Sequence, residues 1–291
     1  MAAHYSNFIE EKRTALKKYI KNNNLKSLVI GISGGIDSTV SAALASEVCK
    51  ELGIPLIGRS LITNTNKNEE IEVARQVGNA FCSDFKQIYI TYDTELIAEH
   101  FEASEGKMSK LQKGNIKARY RMIYLYHTAS MNGGVVIDND NFTEFNLGFF
   151  TIHGDQGDIN LGLHTLWKTE IYELAEELCE IYRTTYIDSK NNPESDVEIT
   201  DQCFNKYEAL SHSIGLIPTD GNGVSNSDCE QFGLENYEQV DDVLRHIYFG
   251  DIQTPSILSE LEGKYNKEGI NKLINLHEKT DYKRKVSPLN L

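Results

Sequence analysis

The chain has 291 residues, 40% hydrophobic and 25% charged, the proportions of an ordinary globular protein with ample length for a buried core. Against 43 Asp and Glu stand 29 Lys and Arg, a net charge of −14, and the one dense basic cluster, Lys283-Arg284-Lys285, is too short for a nucleic-acid face. No apolar run approaches the ~20 residues that span a bilayer, Met1-Ala2-Ala3-His4-Tyr5 lacks a signal-peptide pattern, and five scattered cysteines without a CxxC pair read as reduced thiols, so the expectation is a cytoplasmic protein with neither membrane nor nucleic acid as partner.

In chain order, residues 5–23 carry a helical stripe of Phe8, Ile9, Leu16 and Ile20. Leu28-Val29-Ile30-Gly31-Ile32 is a continuous apolar run of the kind found in parallel strands covered on both faces. From Ser38 the pattern is helical through Val40, Leu44, Val48 and Leu52, with Gly53 placed to cap the end. A strand at Pro55–Arg59 precedes a helix through Ile71, Ala74, Val77 and Phe81, then a strand at Gln87–Ile90. Helices near 93–103 and 114–131 lead to a fourth strand, Gly134–Ile137. This alternation predicts a doubly wound parallel sheet, Rossmann-like, with helices on both faces and ligands outside the carboxyl ends of the strands. Farther on, helices are expected near 167–183, 235–249 and 255–278. Residues 184–230, rich in Asn, Ser, Asp and Gly, read as a loop-rich insertion with at most one helix near 201–211, and one domain over 1–291 is the simplest organisation.

The segment Gly31-Ile32-Ser33-Gly34-Gly35-Ile36-Asp37-Ser38 lies between a strand and a helix. Backbone N–H groups at such a junction converge at the positive end of a helix. Two glycines let an anion come close, and Ser33 and Ser38 add hydroxyls. Asp37 would repel phosphate unless a Mg²⁺ lies between them. No Gly-Lys-Ser/Thr follows, so this is not a Walker loop, and the GxGxxG spacing is absent as well. A plain turn with a serine cap explains neither the second glycine nor the aspartate.

SGGxDS in this place resembles the pyrophosphate loop of the N-type ATP pyrophosphatases, adenine nucleotide alpha hydrolase-like enzymes that cleave ATP to AMP and pyrophosphate. Three further segments point within that superfamily to the ammonia-dependent NAD synthetases. Gly114-Asn115-Ile116-Lys117-Ala118-Arg119-Tyr120-Arg121-Met122 resembles their GNxKARxRM helix. Asp138 to Glu144, with Gly148-Phe149-Phe150-Thr151 through Asp158, resembles GTDxxxE…GFFTKxGDGxxDIxP. Leu166-Trp167-Lys168, Pro218-Thr219 and Thr280-Asp281-Tyr282-Lys283-Arg284 resemble an ATP-contacting lysine segment, the start of a mobile substrate loop and the closing TxHKR motif.

The resemblance implies ATP contacts at Gly31, Ser33, Gly34, Gly35, Asp37, Ser38, Arg59, Asn139, Lys168 and Thr219, and Mg²⁺ on Asp37 and Glu144. It implies substrate contacts at Asn115, Arg119, Asp158, Tyr282 and Lys283, and a homodimer with deamido-NAD at its interface. Catalytic weight falls on Asp37, Lys168 and Glu144, which would offset the repulsion when a carboxylate approaches the α-phosphate. Ammonia is the expected nucleophile, since 291 residues leave no room for a nitrilase-like glutaminase domain. A lid at about 212–230, with glycines at 215, 221 and 223, would keep water from the adenylate. The acceptor half departs from the resembled pattern: Asp138-Asn139 replaces GT, Ile152 a lysine, and Tyr282 a histidine, while Ser60-Leu61-Ile62 replaces an aromatic-proline stretch. Two alternatives therefore stand open, an enzyme adenylating another carboxylate or a nucleobase, and an inactive nucleotide-binding relative.

Overall fold

An apolar run without alternation needs cover on both sides. In the computed structural model, which describes residues 5–192, 196–219, 223 and 227–285, Leu28-Val29-Ile30 has that cover. The first half of the chain runs α1 (Ser6–Asn23), β1 (Ser27–Gly31), α2 (Ile36–Leu52), β2 (Leu56–Ile62), α3 (Asn68–Phe81), β3 (Asp84–Tyr89), α4 (Thr91–Glu105), α5 (Lys110–Asn132) and β4 (Gly134–Asp138). The second runs α6 (Phe142–Leu147), β5 (Ile159–Asn160), α7 (Lys168–Asn191), α8 (Val197–Gly215), α9 (Asp228–Phe232), α10 (Tyr237–Tyr248), α11 (Pro255–Lys264) and α12 (Lys267–Lys279), with 3-10 turns at Leu163–Thr165 and Asp281–Arg284.

All pairings are parallel and the strand order is β3-β2-β1-β4-β5. The chain works outward from β1 to β3, then crosses back to place β4 on the other side of β1. That reversal opens a crevice at the carboxyl ends of β1 and β4, where open α/β sheets bind ligands. Alternate residues of β1 serve opposite faces. Leu28 and Ile30 pack with α1, α2, α3, α7 and α8, whereas Val29 packs with Met122, Leu125 and Ala129 of α5. The expected doubly wound sheet with helices on both faces is present. Gly53 takes the left-handed conformation expected of its cap, with φ 64°.

The differences from expectation have local causes. The third strand begins at Asp84 rather than Gln87, because an edge strand tolerates Asp84, Lys86 and Gln87 on its half-open flank. The helix expected over 255–278 is two, parted at Tyr265-Asn266, where the Asn266 side chain accepts from Glu268 N (2.8 Å) and starts α12. Within 184–230 the structure corrects the loop-rich expectation: α7 continues to Asn191 and α8 covers Val197–Gly215. Asp188, Ser189 and Asn191 lie in the last turns of α7, and Asp196 caps α8 by accepting from Glu198 N (2.8 Å). Ala209, Leu210 and Ser213 of α8 are fully enclosed against α2, α3 and α7. A second core, built by Leu147, Phe232, Val240, Leu244, Ile270 and Leu273, joins α6 to the C-terminal helices. No helix among the described residues is long and apolar enough to cross a membrane.

Candidate active site

The loop after β1 is held open from behind. Gly34 has φ +90°, and a Cβ there would stand 2.6 Å from Glu70 O and 2.9 Å from Ala74 N, so backbone conformation and contact with α3 both demand glycine. At Gly35 a Cβ would meet only Ser33 Oγ, at 3.3 Å, so backbone packing does not demand the second glycine. Ser33 Oγ accepts from Gly35 N (3.1 Å), and Ser38 Oγ accepts from Ser33 N (3.3 Å) and donates to Gly35 O (3.0 Å). The first helical bond of α2 runs from Thr39 N to Gly35 O (3.2 Å). The N–H groups of Ile36, Asp37 and Ser38 therefore have no carbonyl one turn back, which makes this helix start a ready anion cradle.

Three charged side chains converge beside it. Lys168 is 3% exposed, and its Nζ bonds Asp37 Oδ2 and lies 3.5 Å from Glu144 Oε1. Asn141 Nδ2 donates to Asp37 Oδ1 (2.9 Å) while its Oδ1 accepts from Glu144 N (2.9 Å), so one side chain sets the spacing of both carboxylates. Burial, opposed by Lys168 and reinforced by Asp37, pushes the Glu144 carboxyl up to about 8. Burial acts to lower the Lys168 ammonium, but Asp37 and Glu144 outweigh it and hold its pKa above the ordinary lysine value. The lysine backbone is fixed as well: Lys168 N donates to Thr143 Oγ1 (2.8 Å), which donates to Asp241 Oδ1 (2.6 Å), and Thr169 N donates to Asp241 Oδ2 (2.9 Å). A buried carboxylate on α10 thus locks the start of α7 to α6. Asn139, at the end of β4, donates to Gly31 O (3.3 Å), and its Oδ1 is buried without a partner.

The segments expected to meet the acceptor gather around the turn at 148–155, to one side of this cluster. Thr151 Oγ1 donates to Asn115 Oδ1 (2.9 Å), and Arg119 Nε donates to Ile152 O (3.2 Å). Lys283 Nζ donates to Gly148 O (2.8 Å) and Phe150 O (2.6 Å), and burial lowers its pKa. Tyr282 beside it is exposed. Asn115 and Arg119 also line an apolar groove of about 330 Å³ between α4 and α5, with Ile97, Phe101, Ile116 and Ile123.

The profile of the family described as NAD synthase matches residues 8–287. The chain belongs to the NAD synthase family. Similar proteins include the NH(3)-dependent NAD(+) synthetase of Thermoplasma acidophilum, 28% identical over 97% of this chain and 96% of that one. The enzyme of the same name from Finegoldia magna is 34% identical over 60% of this chain and 69% of its own. Among solved structures, an NMN synthetase from Francisella tularensis superposes with a TM-score of 0.72 at 23% identity, over 98% of this chain and 97% of that one. An NH3-dependent NAD synthetase from Campylobacter jejuni gives 0.66 at 22%, over the whole of both chains. At such identities the two structures speak for the fold alone.

Some expected site residues make other contacts in this chain. Arg59 is 6% exposed and committed to the far side of the sheet: its guanidinium donates to Asp84 Oδ1 (3.1 Å) and Oδ2 (2.9 Å) at the start of β3 and to Gly58 O (2.8 Å). Its backbone stands beside Gly31 at the end of β1, while its guanidinium turns back toward the start of β3. Asp158 Oδ2 accepts from Val136 N (2.8 Å) and serves the sheet edge. Thr219 Oγ1 donates to Glu70 Oε1 (2.6 Å), at the start of α3 rather than at the charged cluster. Of the expected lid, 212–215 belongs to α8, and Gly221 lies outside the described residues.

Sequence reasoning missed four residues around this site: Asn141, Asp241, Thr39 and Ser213. Asn141 was readable, since Asn141-Phe142-Thr143-Glu144 has capping-box spacing. Ser213 had no local signal. From α8 it donates to Gly34 O (2.8 Å) and lies 2.9 Å from Thr39 Oγ1, so the helical hairpin α7–α8 fixes the back of the loop.

Proposed function

We propose that this protein amidates deamido-NAD with ammonia at the expense of ATP, through an adenylated carboxylate, releasing AMP and pyrophosphate. The observation that carries the reading is the meeting of Asp37, Glu144 and Lys168 beside an open helix start at the carboxyl ends of β1 and β4. A carboxylate is a poor electrophile, and adenylation gives it a leaving group. The loop N–H groups would hold the departing diphosphate, and Lys168 would stabilise charge on the α-phosphate. Asp37 and Glu144 fit a Mg²⁺: two partly buried carboxylates meet at Lys168 Nζ, and desolvation raises Glu144 to about 8. Bound there, the ion supplies the charge that lets two anions meet. Thr219 holds the 216–219 segment to α3, and Asp228 N bonds Pro218 O (3.1 Å), within the lid expected at about 212–230.

Ile152 favours a second reading in which the acceptor is another carboxylate, because an apolar side chain stands where the resembled pattern carries a cation. The exposed Leu96, Phe101, Leu111, Ile123 and Met131 of α4 and α5 support a homodimer closing over the adjoining groove. Incubation with ATP, Mg²⁺, ammonium and deamido-NAD should yield NAD and AMP in equal amounts. AMP formed only with another carboxylate acceptor would move the assignment to the second reading, and absence of pyrophosphate release with every acceptor would refute both. Sedimentation should give twice the chain mass; a monomer at working concentration would refute the dimer.

A further inference from the structure

We propose that Asp138, Asp140 and His164 form a second cation site, distinct from Asp37 and Glu144, that takes a divalent ion of the Mn²⁺ or Zn²⁺ kind and fixes the segment bearing Asn139 and Asn141. One ligand atom from each of the three residues lies within 4.8 Å of the others. Neighbouring ligands bound ~2.2 Å from a common ion stand about 3 Å apart, close to the 3.4 Å between His164 Nε2 and Asp138 Oδ2.

Among the described residues, two of the three groups carry no hydrogen bond on the ligating atom. The His164 Nε2 atom is enclosed and makes no hydrogen bond. Asp140 is 9% exposed, and its carboxylate takes no hydrogen bond from the described residues. Buried polar groups are rarely left so. Asp138 divides its oxygens: Oδ1 accepts from Asp140 N (2.8 Å), which turns Oδ2 toward the histidine.

The surroundings hold the ligands in place. Asn160 Nδ2 donates to Asp140 O (3.0 Å) and Asp138 O (3.4 Å), while its Oδ1 accepts from Gly162 N (2.9 Å) and His164 N (3.0 Å). A single amide thus joins the segment carrying both aspartates to the turn carrying the histidine, as outer partners do in metal centres. The local field asks for a cation as well. Burial, then Asp138, Asp155, Glu144 and Asp37, push Asp140 well above the usual carboxylate range. An imidazole among the donors selects against Mg²⁺ in favour of Mn²⁺ or Zn²⁺. Asp140 directly precedes Asn141, which holds Asp37, so an ion here stiffens the scaffold of the catalytic carboxylates without touching the nucleotide.

The test uses the full chain, stripped by chelation and titrated with MnCl₂ without nucleotide, with free Mn²⁺ followed by its EPR signal. One Mn²⁺ should bind per chain, and the melting temperature should rise with it. His164→Gln and Asp138→Asn should each weaken binding at least about 10-fold, the loss that even an outer-shell partner brings, whereas Glu144→Gln should leave it unchanged. If His164→Gln melts early without metal, Asp138→Asn decides. No Mn²⁺ bound at about 1 mM, or binding abolished by Glu144→Gln and kept in both other variants, would overturn the proposal. The first outcome would leave His164 and Asp138 as an ion pair.

Discussion

Lys168→Met removes the one ammonium shared by Asp37 and Glu144. The side chain is 3% exposed and is, among the described residues, the positive charge in contact with both carboxylates, so its loss leaves two partly buried acids facing each other. Removing one member of a buried ion pair costs about 3–5 kcal/mol, mostly because the survivor remains charged without compensation. The cost should depend on pH. In the native protein Glu144 titrates near 8, above its ordinary value. A carboxyl with a raised native pKa contributes stability that is complete below the unfolded value and lost as pH rises through the native one. Without Lys168 the native value rises further, and Glu144 is protonated over a wider range. Urea denaturation should therefore show the full deficit at pH 9 and a smaller one at pH 6. A deficit below about 1 kcal/mol at pH 9, or one independent of pH, would refute the assignment of Lys168 as the internal counter-charge. Turnover should fall at every pH.

Two further substitutions separate positioning from contact. Ser213→Ala deletes the hydroxyl that donates to Gly34 O. Leaving that carbonyl buried and unpaired should cost about 1–3 kcal/mol, with KM for ATP raised and kcat changed less; an unaltered KM would show that the loop needs no support from α8. Arg59→Gln breaks the fork onto Asp84, so stability measured by denaturant should fall while KM for ATP stays within about twofold. A large rise in KM with stability intact would restore the arginine to the nucleotide site.

What could be read from sequence follows the range of the interactions. The strand at 27–31, the glycine turn and the helix after it are written in adjacent residues, and Asp37 betrays itself by being an acid in an anion loop. Glu144 and Lys168 were found because their flanking residues resemble a family pattern, and the fold brings them to Asp37 across 107 and 131 positions of chain. Ser213 and Asp241 carry no such flag, since a serine or an aspartate on an amphipathic helix looks like any surface residue until the helix is docked. The composition of 184–196 misled because Asn, Ser and Asp signal a cap and a loop alike, and here Asp188, Ser189 and Asn191 continue α7 while Asp196 caps α8. Nothing in the sequence beside Arg59 signals that its guanidinium turns back to the Asp84 carboxylate on the neighbouring strand.

The Gly34 carbonyl hangs from a helix nearly 180 residues further along the chain. Successive helix positions are turned by about 100°, so inserting or deleting one residue in α8 would present His212 or Ile214 to the nucleotide turn in place of a hydroxyl. The hairpin that resembles an ornament in the sequence is thus under phase control, and its length should prove harder to alter than its exposed surface.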